Sequence, residues 1–582
     1  VPALTGAAIR FPGGWTAPRQ SFNLTVKQQI ERVGDQPRRR KYMTDVSGGD
    51  AIVGALATHG IDTLYCLPGV QSDHLFNALF DSGAIQPIHT RHEQGAGYMA
   101  LGAAMATGKP AAYSVVPGPG FLNSTAALCT AWAVNAKVVA LAGQNPVPTI
   151  GKGYGLLHEI PDQLSVMAQL TKWAARIENP GEASAKVAAA FQALNSGRAR
   201  PVGLELPVNV LGGRTDAGPV APLALDEPPQ ALPDELERAA ELIAKAERPI
   251  IFVGSGAIHA ADEVRILAEK IGAPVVGHRM GRGILDARHP LSITQAAAHE
   301  LWKTTDLVIG IASHMQLPIM TWGTDDAMQV LRIDIDPSEL TKFPKMDLGL
   351  NADSKAAVAA INELLAGKSI DTRARLEALA DRKRRFETEV AGLEPQLSFL
   401  RVIRDVLPEN GILIDDLTQV GYVSRIAYPV YQPRTFLNSG FQGTLGWGVA
   451  TALGAKHAVG DTPVICISGD GGFGYNIQEL STAVRHRIAP VFIVFNDGAY
   501  GNVRRMQKEE HGNRVIASDL LNPDFPKLAD SCGMAGHRVR TAEELRPVLE
   551  KAIASNEPTL IEVPIGEVPS PWGFIQLPKI RG

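Results

Sequence analysis

The chain has 582 residues, more than one hydrophobic core usually organises, so roughly two to four domains are expected and three of moderate size fit best. Hydrophobic residues make up 45% and charged residues 20%, which excludes a mainly disordered chain and leaves ample apolar surface to bury. The formal net charge of -4, with 14 His counted neutral, sets up no strong field for nucleic acid or acidic lipid, so a small-molecule ligand is expected.

The first 42 residues are basic, with Arg38, Arg39, Arg40 and Lys41 just ahead of Met43, and carry Pro2, Pro12, Pro18 and Pro37 but no cleavable apolar core. They read as an extension ahead of a start at Met43 in preference to a targeting segment. The cysteines Cys66, Cys129, Cys466 and Cys532 form no CxxC pair, which argues against zinc or a disulfide framework and fits a reducing cytoplasm. No run of about 18 apolar residues predicts a membrane span.

From about residue 48 apolar helical segments alternate with short β-rich runs, the pattern of an α/β protein with parallel strands. Helices are predicted over Asp50–Thr58, Ser72–Asp81 and Glu93–Ala106, and strands over Thr63–Cys66, Ala84–Thr90 and Ala111–Val116. The turn Pro117-Gly118-Pro119-Gly120 follows, and the unit, spanning 43–215, closes its last strand near Pro207. Ala217–Pro233 has linker composition. A second unit, 230–370, opens with the strand Pro249–Val253 and the turn Gly254-Ser255-Gly256 leading into a helix. The charged segment Asp371–Glu389 reads as a solvated connecting helix, a third unit spans 395–570, and 571–582 is a tail. No short-period repeat is visible.

In the third unit the strand Pro463–Ser468 runs into Gly469-Asp470-Gly471-Gly472, a helix follows from about Asn476 to Arg485, and the strand Val491–Phe495 delivers Asn496. A right-handed crossover makes these strands parallel, so Asp470 and Asn496 leave the same sheet edge. If the strands are neighbours, their ends lie about 5 Å apart. Mg2+ takes oxygen ligands and shares its shell with phosphate, which an Asp carboxylate, an Asn amide oxygen and a nearby backbone carbonyl satisfy. Glycines 469, 471 and 472 leave room for a phosphate, and a following helix start offers free N–H groups. Alone, a GDG turn with an Asn-Asp turn occurs in many α/β proteins.

The 25 residues between Asp470 and Asn496 hold one helix and one strand, and GDGGFGYNIQELSTAVRHRIAPVFIVFND resembles the diphosphate signature of thiamine diphosphate enzymes. In the first unit RHEQGAGYMALGAA, with Pro68-Gly69 upstream and PGPGFLN downstream, resembles the pyrimidine-side domain of the acetolactate synthase group. The resemblance spans about residues 45–570 and implies three doubly wound parallel-sheet domains: pyrimidine-binding, central and diphosphate-binding. It implies thiamine diphosphate and Mg2+ as cofactors, with Asp470, Asn496 and the carbonyl of Gly498 as metal ligands. Gly469, Gly471, Gly472 and Gln419 would then lie near the diphosphate, and Pro68 and Gly69 near the pyrimidine.

Glu93 matches the acid that shares a proton with the pyrimidine ring nitrogen; by itself it is also a first-turn Glu complementing a helix dipole. In SGFQGTLGWG, Leu445 matches the residue that bends the cofactor and Gly443 offers its carbonyl to the amino group. Since Glu93 and Asp470 belong to different domains, the family arrangement implies a homodimer or homotetramer with the site between subunits.

The shared step of the family is an enamine formed by decarboxylation or C–C cleavage, and its fate sets the product. No His-His pair occurs, which disfavours simple decarboxylation to an aldehyde. After Asp306–Gly310 the text is IASHMQLPIM, without the Arg-rich segment of anabolic acetolactate synthases, which puts FAD and the pyruvate-recognising arginine in doubt. His158-Glu159 stands where those synthases place a Gln, with Lys172 further along, so His158 is a candidate proton carrier as well as a candidate loop residue. Pro571, Trp572 and Phe574 are candidates for closing over substrate or for a packed tail. The GSGAI turn is compatible with FAD, a CoA portion or no ligand. The expected activity is a lyase or carboligase acting on a 2-oxo acid. Acyl-CoA lyase or decarboxylase activity is the enzymatic alternative, and a non-catalytic cofactor-binding regulator the alternative of another class.

Overall fold

The computed structural model describes residues 45–582, and the basic stretch 1–42 read as an extension lies outside them. Three six-stranded sheets, every strand pair within them parallel, carry the chain. The first uses Thr63–Cys66, Gln86–His89, Ala111–Val115, Val138–Gln144, Trp173–Arg176 and Val202–Pro207, in spatial order 2-1-3-4-6-5. The third uses Ile412–Asp415, Phe436–Asn438, Val464–Gly469, Val491–Asn496, Ala535–Arg538 and Thr559–Pro564, again in the order 2-1-3-4-6-5. The second differs: Pro249–Val253 and its successors run 3-2-1-4-5-6, the dinucleotide-fold order.

These are the doubly wound α/β units the alternating pattern predicts, and their central strands show why the pattern was continuous rather than alternating. Ala111–Val115, Val138–Gln144 and Val202–Pro207 are buried at every residue, because crossover helices cover both sheet faces. Among the described residues no helix is long and apolar enough to cross a membrane.

The helix Glu93–Thr107 joins the first unit to the third. His92 caps it by accepting the Gln94 N–H at 3.1 Å, and Gly108, with φ +72°, ends it. Small residues surround it, and all eleven positions from Gly95 to Met105 are buried. It lies along Gly448–Val459 at backbone contact: a Cβ on Gly102 would stand 2.0 Å from the Thr451 carbonyl oxygen, and one on Gly454 1.8 Å from that of Met99.

Two local predictions need correction. The chain winds as soon as it leaves the strand at Gly469: Asp470–Phe473 is a helical turn, Gly474–Glu479 is 3-10, and the regular helix is only Leu480–His486. Asn476, at φ -131° and ψ 26°, interrupts the winding, so the regular helix starts only after it. Likewise Ser255–Ala260 is 3-10, and the helix expected straight after the GSG turn begins at Ala261.

Candidate active site

Val464–Gly469 and Val491–Asn496 are adjacent strands with Gly469 opposite Phe495, so Asp470 and Asn496 emerge side by side. Asp470 is 2% exposed. Its Oδ2 accepts the Asn522 side-chain amide at 2.5 Å, and the same amide donates to Asn496 Oδ1 at 3.0 Å. Gly498, at φ +65°, donates its N–H to Asn496 Oδ1 at 3.2 Å, while its carbonyl accepts from Leu520 at 2.8 Å and keeps its second lone pair. Burial first, then the charge and hydrogen bond of Asp470, push the Asp497 carboxyl up to about 7. Carboxylate, amide and carbonyl oxygens form a hard donor set, and two close carboxylates, Asp470 buried and Asp497 half-buried, favour a divalent cation among them, so the residues fit Mg2+. Among the described residues no His, Cys, Asp and Glu cluster of three or more offers a metal site of another kind.

The Asn496 amide has only one sensible orientation. Its Nδ2 donates to Glu562 Oε1 at 2.8 Å, and Arg538 Nε donates to Glu562 Oε2 at 2.7 Å. The first sheet repeats this at equivalent strands: Gln144 Nε2 donates to Glu205 Oε1 at 3.0 Å, and Arg176 Nε to Glu205 Oε2 at 2.7 Å. The registers match too, Arg538 with Glu562 and Arg176 with Glu205 across adjacent strands.

Gly471 and Gly472 keep a cradle open above this edge. A Cβ on Gly471 would stand 2.7 Å from the Tyr500 ring, and one on Gly472 3.2 Å from both the Asp416 carboxylate and Leu445 Cδ1. Gly469 caps the one-turn helix beside Leu417 and Thr418, and Gln419 opens the helix Gln419–Ala427 with its amide reaching toward Gly501, next to Asp497. Gly443 has φ +57° and open space around it, and Leu445 is half-buried. Between them Thr444 shares a 2.9 Å hydrogen bond with Thr130 of the first unit.

At the first sheet's carboxyl edge Glu93 Oε2 accepts the Asn123 amide at 3.0 Å, and its Oε1 faces Gly120. Pro68 and Gly69 follow the strand Thr63–Cys66, and Gly69 and Gly120 both close on Val116. Gly118, in the same turn as Gly120, meets the carbonyl of His158, so Glu93 and His158 both approach this turn. His158 has φ +61°, and its buried Nδ1 has no partner among the described residues. Glu159 accepts the N–H groups of Gly153 and Leu156, and Lys172 donates to the carbonyls of Ser196 and Arg198, so both are engaged in loop structure. The tail packs: Trp572 lies 5.0 Å from the Tyr422 ring and Ile580 bonds to Trp322.

No hydrogen bond or ion pair joins Glu93 to Asp470, Asn496 or Gly498 among the described residues. One link between the two edges, besides Thr130–Thr444, is Glu479, which sequence reading missed. Its buried carboxylate accepts the Arg91 N–H at 3.1 Å and the Thr482 hydroxyl at 2.6 Å, and a Cβ on Gly95 would strike it at 2.6 Å. Asn522, Glu562 and Arg538 were also missed. Glu562 left one signal: a charge inside the otherwise apolar strand TLIEVP.

Three family models match the chain: the thiamine pyrophosphate enzyme N-terminal TPP binding domain over residues 46–166, the central domain over 236–361 and the C-terminal TPP binding domain over 416–563. A probable 2-ketoarginine decarboxylase of Pseudomonas aeruginosa is 31% identical over 547 residues, covering 89% of this chain and 94% of that protein. A probable acetolactate synthase large subunit of Methanocaldococcus jannaschii is 33% identical, covering 89% and 92%. The acetolactate synthase isozyme 1 large subunit of Escherichia coli is 30% identical, covering 89% and 94%. With these matches lying over the two sheet edges just described, the chain belongs to the thiamine diphosphate enzymes of the acetolactate synthase, pyruvate oxidase and decarboxylase superfamily, as a carboligase or decarboxylase.

Proposed function

We propose that the chain is a Mg2+-requiring lyase or carboligase acting on a 2-oxo acid, with Asp470, Asn496 and the Gly498 carbonyl as metal ligands and Glu93 as the activating acid. The observation that carries the metal assignment is the convergence of Asp470 Oδ2 and Asn496 Oδ1 on one amide group, that of Asn522. Bound thiamine diphosphate supplies the electron sink for breaking the bond next to a 2-oxo group. The chain's own residues do the rest. Gly469, Gly471 and Gly472 admit the diphosphate, with Gln419 beside it. Pro68 and Gly69 would border the pyrimidine, Gly443 would offer it a carbonyl, and Leu445 would pack against the cofactor. Glu93, steadied by Asn123, exchanges a proton with the ring nitrogen. His158 carries a proton at Nδ1, the atom left without a partner.

The substrate class is supported by the relatives' names, one of which specifies a 2-keto acid, 2-ketoarginine. An acyl-CoA substrate is a second reading, favoured by the crevice of about 630 Å³ beside Gly254-Ser255-Gly256 at the central sheet's switch point, where α/β sheets place nucleotides. The same crevice is where FAD would bind, and flavin absorbance released on denaturation tests for it.

We place the site between two copies of the chain, since Glu93 makes no hydrogen bond or ion pair with Asp470, Asn496 or Gly498 of its own chain among the described residues. Exposed apolar side chains at both edges, Leu122 and Leu157 on one and Phe441 and Tyr475 on the other, support this. Mixing inactive Glu93→Gln and Asp470→Ala copies tests it: a shared site regains activity because one interface is intact, and a mixture that stays inactive places the site within one chain. Glu93→Gln alone should retain cofactor binding and lose turnover, scored by mass spectrometry on a panel of 2-oxo acids and acyl-CoAs.

A further inference from the structure

Two cavities meet where the central unit faces the third. One, of about 480 Å³, lies between the central sheet, the helix Gln419–Ala427 and the tail at Trp572 and Phe574. The other is the switch-point crevice of about 630 Å³. His278, Arg279 and Gly440 line both, so a ligand in either reaches the same three residues.

Five arginines line this double cavity, and four are engaged. Arg282 donates to the carbonyls of Ser424 and Tyr428, and Arg425 pairs with buried Asp415 at 2.5 Å. Arg198 pairs with Asp336 and Glu339, and Arg434 donates to the Met105 carbonyl at 3.0 Å. The Arg279 guanidinium alone has no hydrogen bond or ion pair among the described residues; it lies 5.9 Å from the Phe441 ring centroid. Burial, then the charge of Arg425, pull it down to about 10. Neighbouring His278 is neutral, because burial first and Arg279 second hold its pKa down to about 3, so it adds no second positive charge beside the guanidinium. Arg279 is half-buried with its guanidinium open to the cavities and free of any counter-charge, and it sits at φ +49°, a strained backbone of the kind that persists at ligand sites.

We propose that Arg279 is the anchor of an oxyanion site at the junction of the two cavities. The guanidinium presents a planar fork that matches a carboxylate or a phosphate bidentately. The anion has two sources. It is the carboxylate of a 2-oxo acid, Arg279 then standing in for the arginine that IASHMQLPIM lacks, or the diphosphate of a nucleotide-bearing ligand in the switch-point crevice. The first source rests on the 2-oxo acid reading above. The second does not.

Binding to the full chain, without thiamine diphosphate, tests the site separately from turnover. Calorimetric titrations use 2-oxoglutarate as the carboxylate probe and ADP as the diphosphate probe, on the wild type, Arg279→Asn and Arg279→Lys. Asn tolerates the left-handed backbone, so that variant is expected to fold, and an unchanged melting temperature checks it. Lys keeps the charge without the fork. The expected result is that at least one probe binds the wild type, Arg279→Asn weakens it at least tenfold, and Arg279→Lys falls between. Loss confined to 2-oxoglutarate identifies a substrate carboxylate, and loss confined to ADP a nucleotide diphosphate. If neither probe binds the wild type, or Arg279→Asn binds as well as the wild type, the site is overturned, and the 2-oxo acid reading still stands or falls on its own product assay.

Discussion

Asn496 and Gln144 occupy the same place in two copies of one device: each ends the fourth strand of a 2-1-3-4-6-5 sheet and gives its amide N–H to a buried Glu held by an Arg on the edge strand. In the third sheet the consequence is directional. An amide has a donor end and an acceptor end, and Glu562 takes the donor end, leaving Oδ1 for the side where Asp470 lies. In the first sheet Gln144 Oε1 accepts, among the described residues, only the Asn145 N–H.

Removing the orienting carboxylate should therefore show itself in metal affinity. Glu562→Ala is expected to weaken Mg2+ binding by about 10- to 100-fold, the usual effect of losing a group that orients a ligand. Glu205→Ala, the same change in the first sheet, should lower the melting temperature and leave Mg2+ affinity as it was. Metal titrations of cofactor retention distinguish the two, and equal Mg2+ affinities for both variants would contradict an orienting role.

Glu479 ties the loop before Glu93 to the segment after Asp470. Its carboxylate accepts backbone N–H from Arg91, and burial raises its pKa. Glu479→Ala strands those donors and should cost about 1–3 kcal/mol. Glu479→Gln keeps an acceptor oxygen and should cost less. Because Glu93 rides on the same loop, the Ala variant should also lose turnover more steeply than cofactor binding. Parallel losses of both would assign Glu479 to stability alone.

The sequence made Asp470 and Asn496 legible because they sit one helix and one strand apart, a local spacing that fixes a shared edge. Glu93 was legible through a motif on one helix. Asn522, Glu562 and Glu479 were not, since their roles depend on which strands and loops become neighbours across tens or hundreds of residues. Glu562 reaches Asn496 only because Val494 pairs with Glu562 in the sheet. The duplication of the first and third units escaped a search for short repeats. It lies in strand order, in the shared amide–Glu–Arg arrangement and in the matching ends GLELP and LIEVP. Arg279 gave no periodic signal, and its isolation is a property of the folded cavity.

The helix pair Glu93–Thr107 and Gly448–Val459 should be intolerant of any side chain at its crossing. Gly454→Ala places a Cβ where the Met99 carbonyl oxygen already stands, and neither partner is a flexible side-chain end. Backbones must separate, with an expected loss of about 3 kcal/mol or more, at the upper end for overpacking. Gly460→Ala, where a Cβ meets nothing within 4 Å, is the comparison, although its φ of +61° carries its own strain. Denaturant melts that rank Gly454→Ala no worse than Gly460→Ala would show that the helices can part without penalty.

Asp416 should make the cofactor-free protein lose stability as pH rises through mildly acid values. The side chain is wholly buried and accepts from Ser468 Oγ at 3.0 Å and Leu417 N at 2.7 Å, yet burial outweighs these bonds and holds its carboxyl up at about 6. The folded state therefore keeps this proton over a range in which an unfolded chain, with an Asp pKa of about 3.9, has released it. Between about pH 4 and pH 6 the folded state binds more protons than the unfolded one, so stability falls as pH increases and levels off above about pH 6. Asp416→Asn, neutral at every pH, removes this term. Melting temperatures of the wild type and Asp416→Asn, taken from pH 4 to pH 7, should move apart in favour of Asn as pH rises. A constant gap would mean that Asp416 is ionised throughout, its charge carried by Ser468 and the backbone donors.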